Sequence, residues 1–328
     1  MVSLHAPLRI VFFGTPAFAL PALEALLASR HDLVAVVTQP DRPRGRGHAT
    51  TILPVKARAA EAGVPILQPE RLKDAGFAAE FDRLGADLGV VAAYGKILPE
   101  ALLNAPDLGL INVHASLLPL YRGAAPVHRA VIAGERETGV TIMRMVKALD
   151  AGPVLATARR PIGLEETSDE VEGDLARIGA DLLLSVVERL ASGPVEAVPQ
   201  DNAKASYAHR LTKMDGLVDW NRPAERIHDL IRGLHPWPHA YTFLHGERYI
   251  LLKSVLCDES GMPSLTSPVA PLTAGTIASA SGDRLVVAAG RGGVQILELQ
   301  VENKRATTAR AFLAGHHLAA GDRFDTGP

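Results

Sequence analysis

Cysteine is nearly absent from this chain. Cys257 is the only one in 328 residues, which excludes an intramolecular disulfide, a CxxC redox pair and a cysteine-based metal cluster, and fits a reducing compartment. Aromatic residues make up 5% and the formal net charge is −2, so bulk charge gives no sign of a nucleic-acid binder. Any RNA contact has to come from a local basic patch. No apolar run approaches the roughly eighteen residues that cross a bilayer. Ile10-Val-Phe-Phe13 is short and runs into Gly-Thr-Pro, so it reads as a first strand and not as a signal peptide. A soluble, cytoplasmic chain with no membrane partner is expected. The dinucleotide motif G-x-G-x-x-G is missing too, since only Gly14 stands in the first turn, and this argues against a nicotinamide site.

The 47% of hydrophobic residues supports ordinary globular cores, and the length suits one larger and one smaller unit. An apolar run over 8–13, the turn Gly14-Thr15-Pro16 and a helical pattern over 18–27 open a parallel α/β arrangement. Further strands are expected at 33–37, 64–67 and 87–93, with helices at 54–62 and 77–84. The pattern predicts a Rossmann-like, open, parallel-containing sheet, whose ligands collect at the carboxyl ends of the strands. Those ends fall after Phe13, Val37, Ala93 and Ile111. Residues 140–146 and 154–158 alternate as strands, and Thr167-Ser-Asp-Glu170 caps a helix running toward Leu190. Residues 195–209 show little periodicity and read as a linker. Beyond them come one helix, 223–233, and short strands separated by Gly-rich turns, which suggest a small barrel or sandwich. The expected division is 1–194, 195–208 and 209–328.

The chemistry concentrates in Leu110-Ile-Asn-Val-His-Ala-Ser-Leu-Leu-Pro119, where an apolar strand passes directly into polar side chains. Alternation puts Asn112 and His114 on one side, so an amide and an imidazole can converge on a carbonyl under attack. The amide can donate to a developing oxyanion, while the imidazole can donate to it or take a proton from an attacking amine. A capping Asn and a surface His are the bland alternative. Ser116, Leu117, Leu118 and Pro119 form an apolar turn, either a core-anchored loop or a clasp for a flat heteroaromatic ring. Asp150, in Leu149-Asp-Ala-Gly152, is an Asx-turn residue or a third polar group for the site. Arg42, Arg44 and Arg46 are interleaved with Pro and Gly, as either a solvated connection or a basic arm for a polyanion.

Asn112 to Pro119, followed by Tyr121-Arg-Gly-Ala-Ala-Pro126, Thr138-Gly-Val-Thr-Ile-Met143 and Leu149-Asp-Ala-Gly152, resembles the folate-dependent formyltransferases. The likeness is strongest to those acting on initiator tRNA, through Arg9-Ile-Val-Phe-Phe-Gly-Thr-Pro16, Gln39-Pro-Asp-Arg42, Ala93-Tyr-Gly95 and Pro236-Trp-Pro238. It covers nearly the whole chain. The resemblance implies formyl transfer from 10-formyltetrahydrofolate, a co-substrate, to the amino group of methionine esterified to initiator tRNA, with no metal. It implies catalysis by Asn112, His114 and Asp150, with Asp150 either orienting His114 or helping to remove the amine proton. Folate contacts are implied for Ser116, Leu117, Leu118, Pro119, Tyr94 and Gly95, and tRNA contacts for Arg42, Arg44 and Arg46. A C-terminal OB-like β-barrel that helps to hold tRNA, and a monomeric state, complete the expectation. Within the family, glycinamide ribonucleotide or nucleotide-sugar formyltransferases and formyltetrahydrofolate hydrolases remain alternatives.

Overall fold

A computed structural model describes residues 6–41, 53–257, 272–325 and 327. Two compact units emerge. The first comprises residues up to Pro126, Glu137–Pro161 and Glu172–His209; the second comprises Val127–Arg136, Ile162–Val171 and the chain from Arg210 onward.

In the first unit the chain alternates β1 (Arg9–Gly14), α1 (Leu20–Leu27), β2 (Asp32–Val37), α2 (Pro54–Glu61), β3 (Ile66–Leu67), α3 (Ala75–Arg83), β4 (Leu88–Ala92), α4 (Glu100–Leu103) and β5 (Leu110–His114). A short strand β6 (Arg122–Gly123) precedes β7 (Glu137–Arg144), β8 (Val154–Pro161) and α6 (Ser168–Ser192), whose first turn belongs to the second unit, as does helix α5 (Pro126–Ile132) beyond its first residue. The sheet order is β3-β2-β1-β4-β5-β7-β8. β1 to β5 are parallel, whereas β7 and β8 return antiparallel. Continuous apolar runs such as Ile10 to Phe13 suit strands covered on both faces. One face holds Val11, Phe13, Val37, Phe81, Val91 and Tyr94 in a single cluster. On the other, Gly179 of α6 comes so close to β5 and β7 that a Cβ there would stand 3.0 Å from Val113 Cγ1. The order reverses between β1 and β4, so the carboxyl ends of β1, β4 and β5 lie side by side at a switch point, where such sheets bind ligands.

Residues 195–208, expected as a linker, are built into this unit. Val198 bridges Val154 on the edge strand, and β9 (Tyr207–Ala208) pairs in parallel with β6. Segments shorter than one turn of regular structure carry no periodicity, which is why composition alone pointed to a linker.

The second unit is an antiparallel, OB-like β domain. Its strands β10 (Ala240–Leu244), β11 (Glu247–Leu256), β12 (Ile277–Ser281), β13 (Arg284–Ala288) and β14 (Gly293–Val301) pair in the order β10-β11-β14-β13-β12, with β15 (Thr307–Thr308) on β14. The β10–β11 hairpin turns through His245 and Gly246, both at positive φ (51° and 79°), the combination that matches strand twist in a two-residue turn. Helices α7 (Ala224–Gly233) and α8 (Ala309–Gly315) supply Ile227, Ile231 and Phe312 to its core. The upstream segments belong here for local reasons. A Cβ at Gly233 would meet Ile132 Cγ1 at 2.5 Å, Ser168 Oγ donates to Gly233 O at 2.7 Å, and Arg232 donates to Glu166 O at 2.8 Å. No helix among the described residues is long and apolar enough to cross a membrane.

Trp220 stacks on Phe324 with ring centroids 5.7 Å apart. Its indole N–H donates to Thr242 Oγ1 (2.9 Å), and that hydroxyl donates to Asp325 O (2.9 Å). Thr242→Val keeps the shape but strands a buried indole N–H, so this unit should lose about 1–3 kcal/mol. Both tryptophans, Trp220 and Trp237, lie in the second unit, so their fluorescence during urea unfolding reads that loss directly; an unshifted midpoint would mean that the bridge is dispensable.

Candidate active site

β5 ends at the carboxyl edge of the sheet. Because Val113 points toward α6, its neighbours Asn112 and His114 face the opposite side together. Asn112 lies opposite Met143 and His114 opposite Thr141 on β7. The two are 9% and 5% exposed, so each presents a narrow polar edge from an otherwise apolar strand.

The imidazole is fixed from two directions. His114 Nε2 stands 3.0 Å from the carbonyl oxygen of Tyr121. A carbonyl offers only lone pairs, so Nε2 carries the hydrogen and donates it. Nδ1 is thereby left as the atom that gains or loses a proton, and it lies 3.8 Å from Asp150 Oδ2. That same carboxylate oxygen accepts the Gly123 N–H at 2.8 Å. The Tyr121 carbonyl is itself placed by the supposed linker, because Tyr121 N donates to Ser206 Oγ (2.9 Å) and Arg122 N to Ser206 O (2.9 Å). Both Tyr121 and Asp150 have left-handed backbones, with φ of 59° and 46°, a region that costs non-glycine residues energy and has to be enforced by their surroundings.

The structure thus brings Asn112, His114 and Asp150 together. Leu117, Leu118 and Pro119 come three to five residues after His114 and are half-buried. Thr141 holds their turn, with Oγ1 donating to Ser116 O (2.7 Å) and accepting from Leu118 N (3.2 Å). Ser116 is fully buried and its hydroxyl donates to Leu120 O at 2.6 Å, so its side chain serves the turn. Tyr94 likewise points into the core, edge-on to Phe13 at 5.5 Å. Its phenol is buried without a hydrogen-bond partner among the described residues and burial pushes its pKa up to about 12, which keeps it neutral. Only its main chain faces the strand end, where Tyr94 O accepts from Gln39 Nε2 at 2.8 Å. Gly95 is exposed with φ 78°, and a Cβ there would meet Gln39 Nε2 at 2.7 Å, which explains the glycine. Arg42, Arg44 and Arg46 lie outside the described residues.

Sequence reasoning missed Thr141, Ser206 and Gln200. Gln200 Nε2 donates to both Asp150 O (2.9 Å) and Gly152 O (2.7 Å). Nothing in an aperiodic stretch marked it, since a glutamine 50 positions away acquires its role only when the chain folds back.

A carboxylate, an imidazole and an amide gathered at a strand's carboxyl end beside a half-buried apolar turn can move a proton and stabilise charge on a carbonyl oxygen. The formyl transferase family model matches residues 8–187 and its C-terminal domain matches 210–317, so the chain belongs to the formyl transferase family. Among its relatives, the methionyl-tRNA formyltransferase of Sorangium cellulosum is 44% identical over 96% of this chain and 98% of its own length. That of Paracoccus denitrificans is 45% identical over 97% and 100%. In fold, the chain is similar to WlaRD, a sugar 3N-formyl transferase solved with dTDP and 5-N-formyl-THF, with a TM-score of 0.66 at 16% identity over 92% of this chain and all of that one. HypX from Aquifex aeolicus with tetrahydrofolic acid gives 0.62 at 16% identity, covering 94% of this chain and 47% of that one.

A Cβ at Gly152 would sit 1.7 Å from Arg144 O. Gly152→Ala should therefore lift the Asp150 turn off β7 and lower formyl-transfer turnover about a hundredfold, the scale of a misplacement near 1 Å. Steady-state kinetics beside far-UV circular dichroism checks this; a well-folded variant with wild-type turnover would show that the turn's seating does not matter.

Proposed function

We propose that this chain transfers the formyl group of 10-formyltetrahydrofolate to the free amino group of methionine on initiator methionyl-tRNA, yielding N-formylmethionyl-tRNA for translation initiation. The observation that carries it is the convergence of Asn112, His114 and Asp150 at the strand end. Likeness along nearly the full length to relatives bearing that activity in their names supports this choice of acceptor.

The residues suit the donor. Leu117, Leu118 and Pro119 offer an apolar face next to polar Asn112 and His114, the combination that flat heteroaromatic ligands require, with Gly95 and the main chain of Tyr94 and Ser116 at the adjoining strand end. When bound, 10-formyltetrahydrofolate supplies a formyl carbonyl that an amine can attack. The Asn112 amide donates to the carbonyl oxygen as that oxygen gains charge. His114 Nδ1 takes up the proton that the amine releases and passes it to the folate nitrogen as that nitrogen's bond to the formyl carbon breaks, while Nε2 stays hydrogen-bonded to the Tyr121 carbonyl throughout. The Asp150 carboxylate stabilises the imidazolium that exists between those two events. Arg42, Arg44 and Arg46 grip the tRNA, as a basic segment rich in Pro and Gly can, by contacting phosphates or stacking on unpaired bases. The chain works as a cytoplasmic monomer.

The direct test incubates the protein with 10-formyltetrahydrofolate and methionyl-initiator-tRNA, with uncharged tRNA, glycinamide ribonucleotide and an amino sugar nucleotide as comparison acceptors. Formyl should appear on the methionyl-tRNA alone. His114→Ala and Asn112→Ala should each lower turnover by about a hundredfold or more, as loss of an oxyanion donor does. Preference for another acceptor, or folded variants with undiminished turnover, would overturn the reading.

A further inference from the structure

The turn that carries Asp150 is held from behind by groups outside the reacting set. Gln200 Nε2 donates to the carbonyls of Asp150 and Gly152, and Gln200 Oε1 accepts from Arg122 Nε (3.1 Å) and Nη2 (2.7 Å). Arg122 Nη2 donates as well to Asn202 Oδ1 at 2.8 Å. An amide can face either way by shape alone, yet both of its ends are decided here. Two carbonyls demand the NH2 and a guanidinium demands the oxygen. Arg122 therefore dictates which way Gln200 faces.

Arg122 is 3% exposed, and among the described residues its side-chain partners are amide oxygens, not carboxylates. Burying a guanidinium is costly, so its place beneath this turn calls for a reason. The main chain supplies one, because the next residue, Gly123, donates its N–H to Asp150 Oδ2. Arg122 and its neighbour thus engage Asp150 twice, through Gln200 on the backbone carbonyl and through Gly123 on the carboxylate. The backbone at Asp150 is left-handed and does not stay so unaided.

We propose that Arg122 and Gln200 form a latch that seats the Asp150 turn against His114, making both of them positioning residues for formyl transfer. The inference rests on the catalytic reading above. Gln200 is only half-buried, so Gln200→Ala is compatible with folding, and Gln200→Glu keeps the Arg122 pair while presenting lone pairs to the two carbonyls. For both variants kcat should fall about 10- to 100-fold, as when a reacting group is misplaced by roughly 1 Å. The KM values for folate and tRNA should stay within about twofold of wild type, because a latch that acts through the Asp150 turn affects the reacting geometry and not uniform binding. The double variant Gln200→Ala/Asp150→Ala should be no slower than Asp150→Ala, since one residue acts through the other. Independent losses in the double variant, or Gln200→Glu at wild-type kcat, would overturn the latch. A crystal structure of Gln200→Ala gives a readout independent of the acceptor. The Asp150 carboxylate should have left its place 3.8 Å from His114 Nδ1, and an unmoved carboxylate overturns the latch. A wild-type enzyme inactive on methionyl-tRNA would instead refute the proposed acceptor, and the position of Asp150 would still decide the latch.

Discussion

The separation of 3.8 Å between His114 Nδ1 and Asp150 Oδ2 is the quantity on which the hydrogen bonds around the end of β5 converge. An imidazole has two nitrogens, and only a structure that commits one of them to a fixed acceptor leaves the other free for proton exchange beside a carboxylate. The commitment is made by the Tyr121 carbonyl. Tyr121 is held in turn by Ser206, and Asp150 by Gly123 and Gln200. Three stretches far apart in sequence, at 112–123, 141–152 and 198–208, meet at this point. A strand end supplies two of the polar groups, and irregular chain supplies everything that orients them.

That division explains what could be read in advance. β1, β2, β4 and β5 are apolar enough to be recognised as buried strands, and Asn112 and His114 interrupt such a run at its end, where a polar group needs a purpose. The parallel-containing sheet, its polar strand end and the short strands of the second unit therefore follow from pattern. The supports do not. Gln200 and Ser206 stand in a stretch without periodicity, and β6 and β9 contain two residues each, too few for alternation to register. Arg122 is buried among amide oxygens, an environment that depends on Gln200 and Asn202 and that no local pattern announces. Tyr94 and Ser116 were expected at the folate, but their side chains turn into the protein, a distinction that depends on rotamers and not on spacing.

The second unit shows the same logic at larger scale. Segments 127–136 and 162–171 flank strands of the first unit in sequence, yet they join the second through close backbone approach at Gly233 and through hydrogen bonds from Ser168 and Arg232. A linear reading places boundaries where composition changes. Here the chain passes between the units more than once, and the contacts that assign those segments come from residues about a hundred and about seventy positions further on.

The reaction proposed above requires the charge on Asp150, and not merely its shape, to support proton exchange at His114. Asp150→Asn separates the two. Asparagine tolerates the left-handed backbone and its carbonyl can still accept the Gly123 N–H, but it cannot stabilise an imidazolium as a carboxylate does. Single-turnover formylation of methionyl-tRNA by this variant should be slower than wild type by about a hundredfold or more, with the fold intact. A rate indistinguishable from wild type would reduce Asp150 to a turn residue and contradict the account.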